Sequence, residues 1–221
     1  MREVVLDTET TGLDPRSGDR IVEIGCIELM NHIPTGAKFH KYVNPERDMP
    51  DQAFAVHGLS REFLSKHPKF AEIADELLEF IGDATLIIHN AAFDLGFLNA
   101  ELERLERSLL SAAQAIDTVV LARKKFPGAP ANLDALCSRF NIDNSDRQLH
   151  GALKDARLLA DVYLELIGGR QAGLELMATR TVETTLAVNR ARTPRLHTAT
   201  REEEARHAAF VATLSAPLWN E

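Results

Sequence analysis

Apolar runs of strand length alternate with apolar stripes of helical period through the first 167 residues. Val4-Val5-Leu6 opens a strand, and Ile21-Val22-Glu23-Ile24-Gly25-Cys26-Ile27 makes a second. Phe39-His40-Lys41-Tyr42-Val43 predicts a third, closed by Asn44-Pro45. Leu86-Ile87-Ile88 is a short, fully apolar fourth, and Ala115-Ile116-Asp117-Thr118-Val119 a fifth. Helical spacing joins Ile73, Leu77, Phe80 and Ile81, then Leu98, Leu102 and Leu105. It recurs at Leu133, Leu136 and Phe140, and at Leu159, Val162 and Leu166. Three early strands followed by alternating helix and strand predict an α/β fold, a mixed central sheet with helices on its faces. No internal repeat or low-complexity block interrupts it.

The pattern stops at Gly168-Gly169. Residues 168–195 are rich in Thr, Ala and Arg without a sustained apolar period, which reads as a flexible linker, and 196–221 as a short docking segment. The expected organisation is a globular domain over 1–167 followed by this tail. Charge divides the same way. Residues 168–221 hold seven Arg, six Glu and no Lys, which leaves 18 basic against 27 acidic residues before them. An overall charge of −8 argues against a broad basic surface for gripping nucleic acid, but not against contact through bound cations. No run approaches the roughly 20 apolar residues of a membrane span, and the start, Met1-Arg2-Glu3, lacks a signal-peptide core. Cys26 and Cys137 form no CxxC pair and read as buried thiols of a cytoplasmic protein.

The candidate chemistry lies in acids that stand where core residues belong. Asp7 and Glu9, two apart at the end of the first strand, project from the same face as Val5. Asp94 shares a helical face with Leu98, Leu102 and Leu105, and Asp155 with Leu159, Val162 and Leu166. Each has a plainer explanation alone: a solvated turn after Leu6, a helix N-terminal acid at Asp94, a salt bridge at Asp155. Together, four acids from three segments describe a pocket for hard divalent cations. Such a pocket suits two-metal phosphoryl chemistry, with ions roughly 3.5–4 Å apart. His150, five residues before Asp155 on the loop leading into its helix, supplies an imidazole whose ordinary pKa of about 6.5 suits a general base.

Leu6-Asp7-Thr8-Glu9-Thr10-Thr11-Gly12-Leu13, His89-Asn90-Ala91-Ala92-Phe93-Asp94 and His150-Gly151-Ala152-Leu153-Lys154-Asp155-Ala156 resemble the three exonuclease motifs of the DEDDh 3′–5′ exonucleases. Val56-His57-Gly58-Leu59 also looks like that family's, and the resemblance runs from about residue 2 to 167. It implies an RNase H-like fold, with Asp7, Glu9, Asp94 and Asp155 holding two Mg²⁺ or Mn²⁺ ions and His150 as general base. It further implies that Thr8 and Thr10 lie against the terminal nucleotide, along with Asp7, Glu9 and Asp155. Gln52 and His57 match positions that contact substrate, and Phe93 borders the pocket. Gln52 departs from the pattern, since close relatives often carry an acid there. For His57, a turn-bridging structural role stands beside the ligand role.

The tail narrows the expectation. Gln171-Ala172-Gly173-Leu174-Glu175-Leu176 resembles a sliding-clamp-binding hexapeptide through Gln171, Leu174 and Leu176, and a plain linker stands as the equal alternative. Thr200-Arg201-Glu202-Glu203 is a capping box that opens a helix through Ala205, Ala208, Ala209 and Ala212. The whole tail is similar to that of the proofreading subunits of bacterial replicative polymerases, whose C-terminal segment docks on the polymerase subunit. The resemblance therefore implies a proofreading exodeoxyribonuclease acting on a DNA 3′ end, with the polymerase subunit and the sliding clamp as partners and no membrane. A ribonuclease of the same family would use the same motifs on RNA ends, and an adaptor would keep the fold without catalysis.

Overall fold

The computed structural model of the 221-residue chain describes residues 1–145, 149–169 and 198–215. It divides into two compact units, Met1–Leu174 and Glu175–Glu221. In the first, the strands are β1 (Arg2–Thr10), β2 (Ile21–Met30), β3 (Ile33–Tyr42), β4 (Thr85–Ile88) and β5 (Ala115–Asp117). They form one sheet in the order β3-β2-β1-β4-β5. β1 to β3 pair antiparallel, whereas β4 lies parallel to both β1 and β5. Between β3 and β4 come α1 (Asp51–His57), α2 (Arg61–Leu64) and α3 (Phe70–Ile81). Then α4 (Ala91–Arg104) links β4 to β5, and α5 (Thr118–Lys125), α6 (Leu133–Phe140) and α7 (Ala152–Leu166) follow. This is the expected mixed sheet with helices on both faces.

The period of two along β1 builds both halves of the core. Val4 and Leu6 pack on one face with Leu77 of α3 and Leu98 and Leu102 of α4. Val5 points the other way, to Leu136 of α6 and Leu159, Val162 and Leu166 of α7. β1 sits mid-sheet with neighbours on both sides, so its backbone is paired and its apolar residues are fully buried. Both cysteines are buried free thiols, as expected, and burial raises the pKa of Cys26, keeping it protonated. Arg20 binds the buried Glu101 of α4 through two contacts, 2.5 and 2.8 Å, which anchors the start of β2 to that helix.

β1 continues through Asp7 and Glu9 to Thr10, as the reading of both acids at the end of the first strand expects and the alternative of a solvated turn after Leu6 does not, because β2 pairs with it as far as Thr10↔Ile21. Other boundaries differ from the sequence reading. The fifth strand stops at Asp117, not Val119. The Asp117 carboxylate accepts the Val119 N–H at 2.8 Å and caps α5, ending the strand. The helix holding Asp94 begins at Ala91, with Asp94 in its first turn, and ends before Leu105, which the apolar period includes. The third strand stops at Tyr42, leaving Val43 outside it. α1, α2 and α5 carry no long apolar period and were not expected.

In the second unit the described structure is α8 (Arg201–Val211). Its capping box forms as the sequence predicts: Thr200 Oγ1 accepts the Glu203 N–H at 3.3 Å, and Glu203 Oε2 accepts the Thr200 N–H at 2.8 Å. Gln171, Leu174 and Leu176 of the clamp-like hexapeptide lie outside the described residues, as does the expected linker apart from Gly168 and Gly169.

Candidate active site

Alternation along β1 decides where its polar end points. Asp7 and Glu9 continue the face of Val5, toward α7, while Thr8 continues the face of Leu6, toward α4. The ladder to β2 is regular through Glu9↔Glu23 and shifts register before Thr10, a bulge at the rim of the site. Gly25 lies directly across from Asp7, and a Cβ there would sit 2.3 Å from the Ala152 carbonyl carbon. The missing side chain lets the N-terminus of α7 rest on the sheet. That contact sets Asp155, in the first turn of α7, beside Glu9.

Asp7, Thr8, Glu9, His89, Phe93, Asp94, His150 and Asp155 line one cavity of about 270 Å³. Glu9, His150 and Asp155 each offer a donor atom within 4.8 Å of the others. His150 Nδ1 lies 3.1 Å from Asp155 Oδ2. Glu9 is 8% exposed, and Asp94 and Asp155 are 3% exposed. Buried carboxylates so close together carry a desolvation cost and mutual repulsion that cations remove. Oxygen donors in this number suit hard divalent ions, so the residues present fit the metals that the motifs imply.

Asp94 shows the electrostatic tension most clearly. Burial pushes its pKa up to about 7, although the Thr8 hydroxyl donates to its Oδ1 at 2.7 Å and works in the opposite direction. The helix carrying Asp94 is fixed by Asp117, whose carboxylate accepts from the amides of Asn90 and Ala91 at 3.2 and 3.1 Å. Asn90 is left-handed, at φ 68°, a conformation that asparagine tolerates. Across from Glu9, the buried Glu23 is held by His40 Nε2 at 2.7 Å.

A second cavity of about 370 Å³ adjoins the first and shares Thr8, Glu9 and Phe93 with it. Thr10, Leu13, Gln52, Val56 and His57 complete much of its wall. Gln52 is exposed, whereas His57 is 5% exposed. His57 Nδ1 accepts the Leu59 N–H at 3.0 Å, which bridges the turn after α1 and places the ring proton on Nε2. Among the described residues, that Nε2 is the buried side-chain polar atom without a hydrogen-bond partner; the Thr10 carbonyl is near but outside bonding geometry. Burial also lowers the His57 pKa, favouring the neutral ring. His57 thus bridges the turn while its side chain forms part of the cavity wall.

Sequence reasoning assigned no role to His89, although it opens the second motif. Its Nδ1 lies 2.8 Å from Thr118 Oγ1, and its ring lines the metal-fitting cavity. Asn132 and Asp134, at the start of α6, also reach this cavity. Their signal was a helix cap and first-turn acid, a pattern too common to mark a site.

A family model for exonucleases matches residues 4–163 of this chain, and the chain belongs to that family. Among solved structures, the nuclease domain of 3′hExo, a DEDDh family member bound to rAMP, superposes with a TM-score of 0.64 at 18% identity. That likeness covers 75% of this chain and 91% of the other, and it establishes the RNase H-like fold. Within the family, the DNA polymerase III subunit epsilon of Rickettsia conorii is 54% identical over 97% of this chain and 96% of its own length. The subunit epsilon of Escherichia coli strain K12 is 48% identical over 76% of this chain and 72% of the relative. The chain therefore groups with the DNA polymerase III epsilon subunits, and its activity is that of a proofreading 3′–5′ exonuclease.

Proposed function

We propose that Asp7, Glu9, Asp94 and Asp155 hold two divalent cations, Mg²⁺ or Mn²⁺, and that His150 is the general base for hydrolysis at the 3′ end of a DNA primer. The observation that carries this reading is the convergence of those five residues, from three distant segments, on one cavity. When bound, the cations would lower the pKa of the attacking water and neutralise charge on the phosphate. His150 accepts the proton of that water, and its contact with Asp155 stabilises the resulting imidazolium. The Thr8 hydroxyl keeps Asp94 facing the cavity. The scissile bond is the 3′-terminal phosphodiester, and the product is a deoxynucleoside monophosphate.

The second cavity accepts the terminal nucleotide. Thr8, Thr10 and Phe93 flank it, and Gln52 and His57 contact it from α1. Only a single frayed strand brings its last phosphate into so confined a site, so a mispaired end, cheaper to unpair, is cleaved first. The names of the relatives support DNA over RNA as substrate and the polymerase III assembly as its setting. Within that assembly, segment 196–221 docks on the alpha, polymerase subunit, and Gln171, Leu174 and Leu176 engage the sliding clamp. No described helix is long and apolar enough to cross a membrane. We place the protein in the cytoplasm, at the replisome on the nucleoid.

The test is metal-dependent digestion of a 3′-labelled primer, paired and mispaired, beside RNA of the same sequence. The mispaired DNA end should be released fastest, and Asp7→Ala with Glu9→Ala should abolish release while the circular dichroism spectrum stays native. Undiminished cleavage by that variant refutes the site, and preference for RNA refutes the substrate.

A further inference from the structure

A general base on a loop is useful only if something holds it. Asp155 and its helix fix one side of His150, since the Asp155 N–H donates to the Gly151 carbonyl at 2.9 Å and its carboxylate meets the imidazole. On the other side the contacts come from the turn at the end of α1. The His150 N–H donates to the Val56 carbonyl at 3.1 Å. Two residues on, Gly58 is left-handed at φ +72°, and its N–H closes α1 on the Phe54 carbonyl at 2.7 Å. A Cβ at Gly58 would lie 2.7 Å from Cδ1 of Leu149, so that side chain lies over the bare glycine. Leu149 is 50% exposed, and core burial does not account for its placement there.

These two contacts grip consecutive residues, 149 and 150, from a turn whose neighbours Gln52, Val56 and His57 wall the second cavity. We propose that the Val56 carbonyl and the Gly58–Leu149 contact form a clamp that positions His150 for hydrolysis, tying the base to the wall of the nucleotide cavity. Leu149 and Gly58 are positioning residues, because neither lines the cavity that holds the acids. The inference rests on His150 being the base. Its physical sense lies in the tolerance of proton transfer to displacement: shifting a reacting group by about 1 Å costs on the order of a hundredfold in rate.

Full-length Leu149→Ala, Leu149→Met, Gly58→Ala, the Gly58→Ala/Leu149→Ala double variant and His150→Ala are compared by steady-state digestion of a single-stranded DNA in Mn²⁺. Leu149→Ala should lower kcat by about tenfold to a hundredfold, with KM and the Mn²⁺ activation midpoint within about twofold of the parent. Leu149→Met, which restores cover over Gly58, should recover most of that loss. Gly58→Ala should also lower kcat, and should cost less in the Leu149→Ala background, where its Cβ meets no Cδ1. Unchanged kcat in Leu149→Ala, a loss confined to KM, or independent effects of the two substitutions would overturn the clamp. Should Gly58→Ala fail to fold, the two Leu149 variants decide the matter, since that half-exposed site tolerates substitution. Wild-type activity in His150→Ala would overturn the base itself and the clamp with it. An inactive His150→Ala beside a fully active Leu149→Ala overturns the clamp alone.

Discussion

Burial lifts the Asp94 carboxyl to about 7, whereas an aspartate in an unfolded chain titrates near ~3.9. Between those values the folded, metal-free chain keeps a proton that the unfolded chain has released. The stability tied to the neutral group is therefore complete below about pH 4 and is lost as pH rises through about 7. Its size is on the order of a few kcal/mol. Metal-free protein should lose thermal stability between about pH 4 and pH 7, and Asp94→Asn should flatten that loss. Added Mg²⁺ or Mn²⁺ should restore the parent at the upper pH and leave the variant nearly unchanged. Melting curves across pH, with and without cation, check this; identical pH slopes for parent and variant would contradict it. The four acids could be found in sequence because a charge on an apolar stripe is an anomaly that needs a reason. The hold of Val56 and Gly58 on residues 149 and 150 could not, since it joins a backbone carbonyl and a bare Cα to a distant loop.

At the scale of elements, the strands and long helices followed from hydrophobic period, and their ends did not. β1 extends over Asp7 and Glu9 because β2 completes its ladder, an interaction that the local sequence does not contain. The strand at Ala115 ends where the Asp117 side chain takes over amides of α4 and α5. α1 is seven residues long with His57 as its buried residue, so no apolar stripe announced it. Yet it supplies Gln52, Val56 and His57 to the wall of the second cavity. The packing of α7 on β2 yields a prediction of its own. Gly25→Ala places a methyl 2.3 Å from the Ala152 backbone and must push the first turn of α7 off the sheet. It should cost roughly 1–3 kcal/mol in urea unfolding and carry Asp155 away from Glu9, with a large loss of exonuclease activity. Unchanged stability and activity would show that the helix does not depend on this close approach.

For the whole molecule, the two units carry separate expectations. The first holds the sheet, both halves of the core and every candidate catalytic residue. Removing residues 169–221 should therefore spare digestion of single-stranded DNA, to within about twofold, while ending co-elution with the polymerase subunit. Retained co-elution would move the docking surface onto the exonuclease unit, and lost digestion would show that the tail completes the site.

By itself the sequence determined the fold class, the order of the strands and of the longer helices, and the exonuclease motifs in which the four acids and His150 stand. These are readable because periodicity and misplaced charge are local signals, complete within a strand or a turn. Only the tertiary structure decided that the acids share one cavity with His150, that burial raises the Asp94 pKa, and that α1 walls the adjoining cavity while its Val56 carbonyl accepts the His150 N–H. Those properties come from burial and from contacts between segments far apart in the chain. Desolvation and distance exist only once the chain has closed on itself.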